Sequence, residues 1–111
     1  MQISPSTRGS WTVLSLDGKV DNAGSDTLRA ALLPLLSAGP ASVALDFAKV
    51  EYVTSSGFRV LLQAEKEQRK HGGRLLIAHL SPTLRNFFEI AGLHTVLHLV
   101  PDLDAALAAE R

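Results

Sequence analysis

The 111-residue chain contains no cysteine, which excludes disulfides, thiolate nucleophiles and thiolate metal sites together. It also lacks net charge, because eleven Lys+Arg balance eleven Asp+Glu. Binding nucleic acid by bulk electrostatics needs a concentrated basic face, so no nucleic-acid partner is expected. No apolar stretch approaches the ~20 residues that span a bilayer. The opening residues Met1-Gln2-Ile3-Ser4-Pro5 lack the basic start and apolar run of a signal peptide. A soluble cytoplasmic protein, without direct membrane insertion, is the expectation. Hydrophobic residues make up 46% of the chain, too many for disorder and enough for a core. At this length the core serves one domain, residues 1–111.

What is present alternates between strand and helix. Trp11-Thr12-Val13-Leu14-Ser15-Leu16 reads as a strand ending at the turn residues Asp17 and Gly18, with a short strand near Ile3 as its neighbour. Leu28, Ala31, Leu32, Leu35 and Leu36 recur at helical spacing, with Asp21, Ser25 and Asp26 as candidate starts. Pro34 falls inside that pattern and should kink the helix or end its regular part early. Three strand-then-helix units follow. The strands are residues 43–47, the apolar run Leu75-Leu76-Ile77-Ala78, and residues 96–100. The first helix, residues 57–70, carries Phe58, Leu61 and Leu62 on its apolar side, with Glu65-Lys66-Glu67-Gln68-Arg69-Lys70 as a solvated face. Gly72 follows as a C-cap. The second helix opens at Ser81-Pro82 and places Leu84, Phe87, Phe88 and Ala91 in phase, leaving Ile90 and Leu93 off the stripe as candidate contact residues. Asp102 caps the last helix, which carries Leu103, Ala106 and Leu107. This pattern is α/β: a four- to five-stranded mixed sheet with about four helices, mainly on one side.

Thr54-Ser55-Ser56-Gly57 stands where a buried strand hands the chain to a helix. Unpaired backbone N–H groups and the helix dipole make that place favourable for negative charge. A serine there can be an N-cap, a nucleophile or a phosphate acceptor. A nucleophile needs a base and an orienting acid. The chain has His71, His79, His94 and His98 but no Gly-x-Ser-x-Gly. His94 and His98 straddle a loop and a strand, so they do not form a helical metal pair. Neither an enzyme, a metal site nor a cofactor is expected.

Several segments carry a resemblance. Val43-Ala44-Leu45-Asp46-Phe47, residues 50–57 and Arg59-Val60-Leu61-Leu62 are similar to the signature of STAS domains, and more narrowly of stand-alone anti-sigma factor antagonists. Gly18-Lys19-Val20-Asp21, Gly72-Gly73-Arg74-Leu75 and Phe88-Glu89-Ile90-Ala91-Gly92-Leu93 match in the same order. The resemblance implies a domain that performs no chemistry itself. It implies binding to a serine kinase that doubles as an anti-sigma factor, so that a sigma factor is freed. The kinase would switch the domain off by phosphorylating the serine before the glycine, here Ser56, and a serine phosphatase would reset it. Ser55 and Thr54 are the fallback acceptors. Much of the family has aspartate where this chain has Thr54, and Asp21 is placed to supply part of that missing charge. The implied partner-binding residues are Asp21, Thr54, Ser55, Ser56, Gly57, Phe58 and Arg59. The alternative is a docking subunit of a lipid- or solute-transport ATPase complex, which would use the same face.

Overall fold

The computed structural model describes residues 1–109. Strand β1 (Gln2–Arg8) turns through Gly9, at φ 62°, into β2 (Trp11–Val20), and the two pair antiparallel. Helix α1 (Asn22–Ser37) leads to β3 (Ser42–Val53), α2 (Ser55–His71) to β4 (Arg74–Ala78), and α3 (Pro82–Ile90) to β5 (Leu99–Val100). Helix α4 (Leu103–Ala109) follows. The sheet order is β1-β2-β3-β4-β5, parallel from β2 onward.

That order decides where the helices go. Each parallel crossover moves to the adjacent place, and right-handed crossovers in one direction put α1, α2 and α3 on one face. There Leu28, Leu32, Leu36, Val60, Leu61, Leu84 and Phe88 pack on Leu14, Leu45, Phe47 and Ile77. Helix α4 lies on the other face, where Leu103 and Leu107 cover Trp11, Val13, Ala44 and Leu76. The mixed five-stranded sheet with helices mainly on one side is therefore as the sequence indicated. No helix among the described residues is long and apolar enough to cross a membrane.

Several local expectations are corrected. β2 does not turn at Asp17-Gly18; it continues to Val20, with register shifts between Ser15 and Asp17 and between Gly18 and Lys19. Gly18 takes φ 125° there, a conformation that costs glycine little. Likewise β3 runs on to Val53, while its pairing with β4 stops at Asp46 and Ala78. The ends of β2 and β3 therefore project beyond the rest of the sheet. Helix α1 passes Pro34 and continues through Ser37, its last turn held down by the fully buried Leu36. The final strand is only Leu99–Val100, because a 3₁₀ turn at Leu93–Thr95 satisfies the Val96 and Leu97 N–H groups on the Leu93 carbonyl.

The helix faces also differ in phase. On α2, Val60, Leu61 and Ala64 are buried while Leu62 is exposed. Its charged half is not wholly solvated: Glu65 and Gln68 are 6% and 8% exposed, with Glu65 Oε2 accepting from Gln68 Nε2 and Arg69 Nε at 2.9 and 2.6 Å. On α3, Leu84 and Phe88 are core, whereas Phe87 and Ala91 are exposed; Leu93 is buried and Ile90 exposed. Phe88 is held by edge-on contacts from Phe58 and Phe47, so the neighbouring Phe87 faces outward. The caps read from sequence are present: Asp21 accepts from Gly24 N–H, Ser81 from Leu84 N–H and Asp102 from Ala105 N–H, and Gly72 adopts φ 72°.

Candidate functional site

The projecting ends of β2 and β3 carry the chain into α2. Thr54 occupies the N-cap position and makes no side-chain cap; Ser55 and Ser56 are the first two helical residues. Neither serine therefore caps α2. The first bond along this turn is Phe58 N–H to the Thr54 carbonyl, so the Ser55, Ser56 and Gly57 N–H groups precede the helical ladder. Gly57 lets this end sit close on the projection. A Cβ there would stand 2.6 Å from a Val53 methyl and 2.8 Å from a Val20 methyl, closer than real side chains pack.

Ser56 is half-buried, and its Oγ is the centre of a hydroxyl cluster. It donates to Asn22 Oδ1 at 2.8 Å and lies 2.9 Å from Thr54 Oγ1 and 3.1 Å from Ser25 Oγ. Thr54 Oγ1 donates to the Val20 carbonyl at 3.2 Å, and that carbonyl also accepts the Thr54 N–H at 3.0 Å. Ser25 is buried at 1% exposure. None of these side chains carries charge. The structure thus joins the start of α1, the end of β2 and the start of α2 around one oxygen.

The other sequence-selected residues fall around it. Asp21 is half-buried, with Oδ1 committed at 2.9 Å to Gly24 N–H. Residue 22, rather than Asp21, reaches Ser56, so the acidic group is not among the hydroxyl's direct partners. Ser55 is exposed with no hydrogen bond from its hydroxyl among the described residues. Phe58 turns inward onto Phe88 at a ring separation of 5.1 Å, supporting the site from below rather than presenting itself. Arg59 is exposed and has no ion pair among the described residues. On the projection, Lys19 Nζ stands 5.9 Å above the half-exposed Tyr52 ring.

Asn22 and Ser25 are the site residues that sequence reading missed. A signal existed for one of them. Ser25 falls in phase with the buried leucines 28, 32 and 36, and a hydroxyl on a buried stripe needs a partner. Of the histidines, His79 sits at the end of β4 with φ 64°, its Nε2 accepting from Leu103 N–H at 3.3 Å.

The fold is that of a known class of small α/β domains. SpoIIAA of Bacillus, solved in its phosphorylated form, superposes with a TM-score of 0.75 at 22% identity, over 99% of this chain and 100% of that one. The chain belongs to the STAS family: residues 3–101 match the family described as Mlab, STAS domain. It is 33% identical over 97 residues to BtrV of Bordetella bronchiseptica, a proposed anti-sigma factor antagonist, covering 87% of this chain and 84% of that protein. It is 30% identical over 86 residues to the anti-sigma-B factor antagonist of Bacillus subtilis, covering 78% of each.

Proposed function

We propose that the protein is an anti-sigma factor antagonist of a bacterial partner-switching system. It binds a serine kinase that is also an anti-sigma factor, and phosphorylation of Ser56 switches it off; a serine phosphatase restores it. The observation that carries this reading is a half-buried hydroxyl in the first turn of a long helix, whose side-chain hydrogen-bond partners are all neutral. The names of the two relatives given above support the partner class.

The physics of the switch is local. Phosphate adds about −1.5 to −2 charge and strong acceptor oxygens. At a helix start that charge is favoured by ~0.3–1 kcal/mol. A partner packed over the same spot would instead face a desolvated charge, and each ~1.4 kcal/mol of penalty weakens binding tenfold. The side chains bonded to Ser56 belong to threonine, serine and asparagine, and none can take its proton at neutral pH. The base and the ATP therefore come from the kinase, which fits a domain that performs no chemistry itself.

The test is incubation with the candidate kinase and ATP, followed by site mapping. One phosphate should appear on Ser56 and none on Ser56→Ala, which should still bind. Phosphate on Ser55 or Thr54 would move the acceptor. Capture of a transport ATPase in place of an anti-sigma factor would support the docking-subunit reading instead.

A further inference from the structure

The Ser56 cluster can be tested by counting hydrogens. Four contacts are made: Thr54 to the Val20 carbonyl, Thr54 to Ser56, Ser25 to Ser56, and Asn22 to Ser56. Three hydroxyls supply three hydrogens. The carbonyl can only accept, and the single Thr54 hydrogen serves either it or Ser56. In the structure Asn22 turns its oxygen to Ser56, so the Ser56 hydrogen goes to Asn22 and the Ser25 hydrogen to Ser56. Either the 2.9 Å Thr54–Ser56 contact or the 3.2 Å Thr54–Val20 contact is then two oxygens with no hydrogen between them. A half-turn of the carboxamide exchanges its oxygen and nitrogen without moving their positions appreciably. With Nδ2 facing Ser56 every contact has its hydrogen. Asn22 and Ser25 donate to Ser56, Ser56 donates to Thr54, and Thr54 donates to Val20.

We infer that Asn22 donates to Ser56 and gates its phosphorylation. A hydroxyl oxygen has one hydrogen and two lone pairs, and here all three are engaged by this chain. The resting hydroxyl is saturated. In the transfer, a lone pair of Ser56 Oγ forms a bond to the γ-phosphorus of ATP. The bond from phosphorus to the β–γ bridging oxygen breaks, its electron pair leaving on ADP, and the hydroxyl proton passes to a basic side chain of the kinase. A lone pair must be vacated first. Ser25 is buried and cannot swing away, whereas Asn22 is exposed and can. Asn22 is thus a positioning residue whose departure readies the nucleophile. The kinetic half of this inference rests on Ser56 being the phosphate acceptor; the hydrogen-bond half does not.

Two measurements separate the halves. NMR of the unmodified protein should show one Asn22 Nδ2 proton protected from exchange, with a strong NOE to the Ser56 Hβ protons that Ser56→Ala weakens. Two freely exchanging amide protons with no such NOE would overturn the donor assignment. With the cognate kinase and ATP, Asn22→Ala should raise kcat about 3- to 10-fold, the factor one hydrogen bond commands, with KM little changed. Asn22→Asp keeps the side-chain shape but cannot donate when ionised, and should also raise kcat. An unchanged or lower kcat in both variants, each folded by melting temperature, would overturn the gate. A wild type that takes no phosphate overturns the functional reading, and the NMR result still decides the hydrogen bond.

Discussion

At its first turn α2 is tied to the molecule through neutral hydroxyls, and toward its last turns through charge. The Ser56 end reaches Ser25 and Asn22, 31 and 34 residues back in the chain. Toward the other end Ser37 of α1 donates to the Glu67 carboxylate at 3.2 Å, and Glu65 gathers Gln68 and Arg69, three and four residues along the same helix. The hydroxyl end can accept added negative charge, because no carboxylate is among the direct partners of Ser56. The carboxylate end cannot lose the Glu65 side chain without leaving the buried Gln68 short of its acceptor. One helix therefore has an end suited to modification and an end suited to anchorage.

The largest expected effect breaks the close approach that lets the hydroxyl end form. Gly57→Val should lower stability by about 1–3 kcal/mol through overpacking against Val20 and Val53. By calorimetry each ~1 kcal/mol is worth roughly 4–8 °C in a domain of this size. A wild-type melting temperature would show that the approach is not needed. Next is the anchoring end. Glu65→Ala should cost about 1–3 kcal/mol in urea unfolding, because a buried amide loses its partner. Glu65→Gln keeps an acceptor and should cost less. If both variants unfold like wild type, the two ends do not differ as described.

Ser56→Asp sharpens the contrast from the other side. It gives up the one hydrogen bond that Ser56 donates, worth ~1 kcal/mol, can still accept from its neighbours, and gains ~0.3–1 kcal/mol of helix-end charge. Net stability should stay within about 1 kcal/mol of wild type while kinase affinity falls at least tenfold, read by calorimetric titration. Retained affinity would sink the electrostatic switch. The smallest expected effect is Arg59→Ala. Its exposed side chain should leave stability within about 0.5 kcal/mol, and any loss of kinase affinity would place it in the contact surface.

Much of this architecture was legible because local chemistry wrote it. Asp21, Ser81 and Asp102 each bind an N–H three residues on, and Gly72 takes the left-handed conformation its position demands. Spacing alone could not show which of two adjacent phenylalanines faces in, and Phe88 rather than Phe87 was chosen by contacts with Phe47 and Phe58. Nor could it show that Glu65 is buried inside a charged run, since that depends on what packs against α2. At the site, the Thr54-Ser55-Ser56 cluster was legible from the strand-to-helix junction, and the family resemblance singled out Ser56. Asn22 was not, because the contact that matters joins α1 to α2 across the projecting strands.

Strand order and chain order coincide, and this has a kinetic side. Every crossover closes onto the edge just made, so no segment waits for a distant one, which keeps contact order low for a parallel sheet and folding correspondingly quick. The Ser56 cluster draws only on residues 20–56, within the β2–α1–β3–α2 portion. The far edge, by contrast, is a two-residue strand backed by one short helix. Amide exchange should therefore report an early-opening unit at β5 and α4 and a late-opening one around β2 and β3. The last segments could open and close many times while the Ser56 cluster stays assembled.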